Sequence, residues 1–286
     1  MSDGWGSLRI PSMDALPRRI VMRSQYVPAR HSFADHAHDW HQLIYAISGT
    51  LMVMMAGARY VITPQQAMWI PKGVLHTTGT LHGSVIRSLY VEAQPGLNMP
   101  EHGCLLTVSP LMKALIIERT AVESRPEPEH YVSQIDDLIL AQLPRQGRDG
   151  LSLPWPESPA LRTLCQTLYD DPADETGMED WGKRLGASSR TLARRFEKEL
   201  GTSLRDWRQQ LRLFRAVEWL AAGRSITDTA LDLGYASPSA FTFMFRTALG
   251  VSPSRHRRRT LDDGHAGAEV APFGAATALF PKEESP

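Results

Sequence analysis

The stretch DHAHDWHQLIYAISG, Asp35 to Gly49, sets His36, His38 and His41 just ahead of an apolar run that reads as a strand. Neutral imidazole nitrogens are common ligands for zinc, nickel and iron, so three rings this close could hold a divalent metal. Such a metal either activates a reactant or is simply held and sensed. Catalysis of the first kind asks for a general base beside the metal. No Asp or Glu occurs between Asp39 and Glu92. The segment is therefore read as one that binds something and reports on it. On a strand, alternate side chains share a face, which places His36, His38 and Gln42 on one side and His41 on the other. A further histidine, His76, follows Gln42 by 34 residues in PKGVLH.

The elements that would position these groups are β-structure. Residues 20–95 alternate short apolar runs with turn residues, as in LIYAISGTLMVMMAGARYVI, where Gly49 and Gly57 punctuate a meander of hairpins. Tyr45, Met52, Met54, Met68 and Trp69 would either line an apolar pocket there or pack its core. From Pro110 the period becomes helical: LMKALIIERTAVE and YVSQIDDLILAQL read as a helical hairpin within 105–145. Its stripe of Leu111, Leu115, Ile135, Leu138 and Ile139 would either form a dimer surface, the favoured reading, or cap the barrel. Residues 146–157, in a stretch rich in Pro and Gly, form the expected linker. Residues 158–259 are helical throughout. Residues 1–19 read as an N-terminal arm, and 260–286, rich in Gly, Ala and Pro, as a disordered tail.

Bulk properties narrow the function classes. The 286 residues allow two domains, each with its own core. Met1 to Arg19, broken by Gly4, Gly6, Pro11 and Pro17, lacks the apolar core of a signal peptide. The apolar stretch Leu43 to Gly57 is too short to span a bilayer. Cys104 and Cys165 belong to no ligand-spaced cluster and read as buried thiols of a cytoplasmic protein. Net charge is zero but unevenly spread. Met178 to Thr260 carries 16 Lys/Arg against 8 Asp/Glu, and the remainder 15 against 23. A basic third beside an acidic remainder suggests one domain for a polyanion and another for something else.

The basic third contains two helix–turn–helix patterns. In MEDWGKRLGASSRTLARRFEKELG, Trp181, Leu185, Leu192, Phe196 and Leu200 form one apolar stripe if the helix breaks at Gly186. Ser188 caps the second helix of this unit, at about 178–200. The opposite side of that helix carries Arg190, Arg194, Arg195 and Lys198, as a helix that reads the major groove requires. Arg190 and Arg194 share a face and suit base edges, flanked by Ser189 and Ala193. Arg195 and Lys198 suit phosphates. The pattern recurs at about 226–249, where Ile226, Ala230 and Leu233 precede Gly234, and Phe241, Phe245 and Leu249 follow. Its outward residues are Ser239, Thr242, Phe243 and Arg246.

Two such units, joined by a long helix and followed by SRHRRR, resemble the AraC/XylS family of bacterial transcription regulators. Ile226, Ala230, Gly234, Tyr235, Ser237, Phe241, Phe245, Gly250, Pro253 and Arg257 stand where the family pattern wants them. In the first unit Leu185, Ser188, Leu192 and Phe196 match. Gly182 departs from the usual alanine, a change that fits sterically but loosens the helix by up to ~1 kcal/mol. The resemblance implies a seven-helix domain over 158–259 whose two recognition helices enter successive major grooves. It carries over Arg190, Ala193 and Arg194 as base readers in the first unit, and Ser239, Thr242 and Phe243 in the second. An aromatic at Phe243 is unusual for the family. Either the ring packs against the connecting helix or it touches thymine methyls.

The histidine segments resemble the cupin barrel: His36-x-His38, then Gln42, then Gly49, with Pro71-x-Gly73-x-x-His76 as the second motif. Metal-binding cupins carry glutamate at the position of Gln42. The resemblance implies that His36, His38, Gln42 and His76 bind an effector or a divalent metal such as Zn, Ni or Fe; the same rings could line a pocket without metal. The expected class is thus α+β, with an N-terminal cupin-like β-barrel and helical hairpin and a C-terminal all-α double helix–turn–helix domain. The expected function is ligand-responsive, sequence-specific regulation of transcription in the cytoplasm. Double-stranded promoter DNA, a small-molecule or metal effector, RNA polymerase and a second copy of the chain are the expected partners, with no membrane. Two alternatives stay open: a metal-dependent cupin enzyme with an accessory DNA-binding domain, and a constitutive DNA binder with an inert barrel.

Overall fold

Strand β4 (His41–Gly49) is buried on both faces from Gln42 to Ile47, which is why HQLIYAISG reads as a continuous apolar run. In this computed structural model, which describes residues 4–10, 13–125, 127–148 and 150–268, β4 is the middle strand of a five-stranded sheet. The order is β10 (Cys104–Thr107), β7 (Gln66–Ile70), β4, β9 (Ser84–Val91) and β2 (Ile20–Val27), and the neighbouring strands run antiparallel. Leu43, Tyr45 and Ile47 on one face of β4 pack with Met112, Leu115 and Ile116 of α1 (Pro110–Ala121). Ile135 and Ile139 of α2 (Glu129–Gln142) join the same cluster. Tyr45 and Trp69 also belong to it, and Met52 and Met68 are buried, so these side chains serve packing. Cys165 is buried, whereas Cys104, expected to be buried, is half-exposed; both are free thiols.

The helical hairpin answers part of the question its stripe raised. Leu115, Ile135 and Ile139 are buried on the sheet, while Leu111 and Leu138 remain 52% and 49% exposed. Arg119 of α1, fully buried, fastens this layer. Its Nε donates to Asp136 Oδ1 (2.6 Å), Nη1 to Glu123 Oε1 (2.6 Å) and Nη2 to the carbonyl of Ile20 on β2 (3.0 Å).

A further set of strands brings the histidines together. β1 (Gly6–Leu8) pairs in parallel with β3 (His31–His36), so the N-terminal arm contributes a strand. β3 pairs antiparallel with β8 (His76–Thr80), opposing His36 to His76 across an irregularity between Phe33 and His36. Bulges of this kind re-aim side chains. The strands form open sheets in place of the closed barrel expected, with β10 and β2 as the outer strands of the five-stranded one.

Backbone contacts divide the chain into two compact units, one built on Met1–Leu51 and Ile62–Gly150, the other on Met52–Val61 and Leu151–Leu261. Residues 52–61, read from sequence as part of the 20–95 barrel, thus group with the second unit. There β6 (Ala58–Ile62), hairpin partner of β5 (Leu51–Met55), pairs antiparallel with β11 (Ser152–Pro154). The expected linker therefore contains a strand. Leu153 and Trp155 are buried while Ser152 is exposed, the alternation that makes LSLPW a strand. Trp155 lies against the Arg59 guanidinium at 3.2 Å from the ring centroid, and Trp207 Nε1 donates to the Pro154 carbonyl (2.8 Å).

Seven helices among the described residues complete the second unit: α3 (Pro159–Asp170), α4 (Met178–Leu185), α5 (Ser189–Leu200), α6 (Leu204–Ala221), α7 (Ile226–Asp232), α8 (Pro238–Leu249) and α9 (Pro253–Ala268). Serine caps recur. Ser188, Ser203, Ser225 and Ser237 each accept from the amide three residues on. Helix α9 runs on to Ala268, past the point where a disordered tail was expected; the rest of that tail lies outside the described residues.

Removing Arg119 would leave Asp136 buried without its cation, which costs about 3–5 kcal/mol. Arg119→Ala is expected to lower the urea midpoint accordingly, and Arg119→Ala with Asp136→Ala to recover part of the loss. Equal midpoints for wild type and the single variant would contradict the role given to this pair.

Candidate functional site

His36, His38 and His76 converge, with their ligand-capable nitrogens all within 4.8 Å of one another. His36 and His38 do not share a face by alternation along one strand, as the sequence suggested. His36 ends β3, His38 lies in the turn between β3 and β4, and His76 opens β8. Each ring is held in the same way. Nδ1 of His36 lies 2.8 Å from the Ala34 carbonyl, that of His38 2.7 Å from Trp40 O, and that of His76 2.9 Å from Val74 O. A carbonyl can only accept, so each Nδ1 carries a proton, and on His36 and His76 the lone pair sits on Nε2. The ring centroids of His36 and His76 are 4.2 Å apart, and those of His38 and His76 5.2 Å.

His76 is 1% exposed, and its Nε2 has no hydrogen-bond partner among the described residues. Burial pushes the His76 pKa down to about 4 and also lowers that of His36. Both rings are neutral near pH 7 and offer lone pairs. His38 Nε2 lies 3.0 Å from Gln42 Oε1, and Gln42 Nε2 donates to Ser88 Oγ (3.0 Å). Both nitrogens of His38 thus face oxygens, although a neutral ring has only one N–H to give.

His41 stands apart, stacked on Trp69 at 4.9 Å, its Nδ1 accepting from the Lys72 amide. Sequence reasoning missed Trp40, Tyr90 and Ser88. Trp40 stacks on His38 at 5.5 Å with planes 7° apart, and Tyr90 meets His38 edge-on at 6.0 Å. The indole N–H of Trp40 is buried without a partner among the described residues. The DW step after His38 was a usable signal for that aromatic wall. Ser88 and Tyr90 on β9 carry none in the linear sequence.

The second unit presents its cations on α5. Gly186 adopts φ +66 at the end of α4, which lets the chain reverse into the Ser188 cap. Gly182 proves more than a tolerated departure. A Cβ there would lie 2.5 Å from the Ala187 carbonyl, so the turn closes onto a bare backbone. Leu192, Phe196 and Leu200 are buried, while Ser189, Arg190, Arg194, Arg195 and Lys198 are exposed and Ala193 is half-buried. No ion pair engages these four cations among the described residues, whereas Lys183 on α4 is paired with Glu179 and Asp180. On α8, Phe241 and Phe245 are buried, Ser239 and Arg246 are exposed, and Thr242 is half-buried. Phe243 is 76% exposed, so its ring does not pack against the connecting helix.

Paired helices with an outward cationic face, in one chain with a β-sheet unit that holds a histidine cluster, define a ligand-responsive DNA-binding protein. A family profile described as "Helix-turn-helix domain" matches residues 181–259, and one described as "AraC-like ligand binding domain" matches residues 24–96. The HTH-type transcriptional regulator NimR of Escherichia coli is 33% identical over 224 residues, which are 78% of this chain and 82% of that protein. The HTH-type transcriptional activator RhaR of Pectobacterium atrosepticum is 38% identical over 253 residues, 80% of this chain and 88% of that one. Among solved structures, ToxT from Vibrio cholerae is matched over 85% of this chain and 98% of that one, at 12% identity and a TM-score of 0.36. The chain belongs to the AraC family of helix–turn–helix transcription regulators.

Because Phe243 contributes nothing to the core, Phe243→Ala is expected to change stability by no more than ~0.5 kcal/mol. It should weaken binding to sites with thymine opposite α8, and replacing those thymines by uracil in the wild-type complex should cause the same loss. Unchanged operator affinity in both experiments would remove the ring from the interface.

Proposed function

We propose that this regulator reads promoter DNA chiefly through α5 and senses a divalent metal, of the zinc, nickel or iron type, at His36, His38 and His76. The observation that carries the metal reading is the shared tether. Three Nδ1–H groups are spent on backbone carbonyls, leaving the three Nε2 atoms for a ligand, and that of His76 is buried without a partner among the described residues. Imidazoles oriented by such outer hydrogen bonds are the usual state of metal-ligating histidine. A cation at His38 Nε2 would also resolve its conflict with Gln42 Oε1. The site senses and does not catalyse. Asp35, next in sequence to His36, accepts from Thr77 Oγ1 and is not set aside as a base.

On DNA, Arg190 and Arg194 take base edges with Ser189 and Ala193 beside them, and Arg195 and Lys198 take phosphates. Ser239, Thr242, Phe243 and Arg246 form the second, less cationic reader. The protein works in the cytoplasm: no helix among the described residues is long and apolar enough to cross a membrane, which supports that reading. It pairs with a second copy through the exposed Leu111 and Leu138 and activates transcription with RNA polymerase as partner, in line with relatives named as activators.

Arg194→Ala is expected to cost ~1–3 kcal/mol of operator affinity and to relax preference at one base pair, whereas Lys198→Ala should weaken all sequences alike and flatten the salt dependence. A uniform loss across operator variants for Arg194→Ala would assign that residue to the phosphates. For the metal, wild type dialysed against zinc should retain one equivalent by elemental analysis and His76→Ala none. Equal retention by both would dismiss the histidine site.

A further inference from the structure

Two readers on one duplex must agree in rotation as well as in distance. Each base pair inserted between their contacts adds ~3.4 Å of separation and about a tenth of a turn. Helix α6, with 18 residues and a length of about 27 Å, joins the two helix–turn–helix units. A single helix fixes a separation, but it leaves each unit able to pivot where it joins. The loop between α3 and α4, residues 171–177, is built to fix the angle. Asp171 Oδ1 accepts from the Ala173 amide (3.2 Å), and Asp174 Oδ1 from the Thr176 amide (2.6 Å). Two arginines one turn apart on α6 hold this loop near its two ends. Arg208 Nη2 donates to the carbonyl of Thr176, just before the Gly177 that caps α4. Arg212 Nε donates to the carbonyl of the buried Pro172 (3.3 Å).

The same loop meets the second unit at its turn. A Cβ on Gly234 would lie 3.3 Å from both Cα and Cβ of Ala173 and 3.6 Å from Arg212 Nη2, so this turn sits directly on the loop. The Arg212 guanidinium lies 5.8 Å from the centroid of the Tyr235 ring, which meets Phe241 of α8 at 5.6 Å. Arg212 thus stands where three elements converge: the loop that leads into α4, the turn that leads into α8, and the helix between them. We infer that this joint of Arg212, Ala173 and Gly234 sets the angle between the two readers, and with it the number of base pairs required between their contacts. This rests on the reading of α5 and α8 as two readers of one duplex. Arg212 is a positioning residue that acts on the operator through the helices it holds. Without its guanidinium, the Pro172 carbonyl and the Tyr235 ring lose their shared partner. The loop keeps Arg208 but loses its hold near Ala173, and the units pivot about α6 with their own cores intact.

The test uses the full chain and a duplex that it selects from a random-sequence library. Copies of that duplex carry one base pair inserted or removed midway between the segments where Arg194→Ala and Phe243→Ala change base preference. Wild type should lose ~10-fold or more in affinity at either altered spacing, the scale of one wrong base pair. Arg212→Ala should bind both altered spacings within ~3-fold of its own affinity for the selected duplex, well inside that penalty. Urea unfolding checks that this variant folds. If it does not, Ala173→Gly, which opens the same contact without removing a charge, is judged by the same criterion. An equal spacing penalty in variant and wild type, whatever the loss of overall affinity, would overturn the joint and leave the two-reader reading standing. A wild-type chain indifferent to spacing would overturn both.

Discussion

Three backbone carbonyls, those of Ala34, Trp40 and Val74, govern what the histidine cluster can do. Each takes the Nδ1 proton of a neighbouring ring and so fixes both tautomer and direction. Without them the rings would rotate freely and choose either nitrogen. With them, Nε2 is the lone-pair side of His36 and His76 and the nitrogen that His38 turns to Gln42. The carbonyls are in place because β3 is irregular before His36 and because β8 opposes His76 to His36. The pocket's chemistry is therefore written in backbone geometry, with the side chains following.

The DNA-binding unit rests on a comparable economy. Four of its helix starts repeat one device, a serine accepting from an amide one turn in, and its tight turn is closed by Gly182, where a side chain would meet backbone. The two readers are nevertheless unequal. α5 offers four cations with no ion pair among the described residues, whereas α8 offers one arginine and an exposed aromatic ring.

Most of this architecture is legible in the sequence because period and punctuation are local. Helix boundaries near Gly186, Ser188, Gly234 and Ser237 follow from residue type alone, and the histidine set follows from motif spacing. What escapes is long-range. That Leu115, Ile135 and Ile139 are covered by the sheet while Leu111 and Leu138 are not depends on packing from strands far away in the chain. The strand at 152–154 hides in a stretch rich in proline, because only its pairing with 58–60 reveals it. Trp40 and Ser88 join the pocket by the register of strands, to which no spacing rule gives access. The value of Gly182 lies in an approach from Ala187 that a pattern of residue types does not contain.

The hairpin at Met52–Val61 belongs to the same compact unit as Leu151–Leu261, yet both its ends continue into strands of the other. Scission between 146 and 151 would part Arg59 covalently from Trp155 and Tyr169, and a fragment begun at 158 would lack Arg59, Trp155 and the ceiling they provide over Tyr169. In the gene, the coding region for the DNA-binding half is interrupted, so recombination that swaps sensors among such regulators must carry this insert along or rebuild its socket.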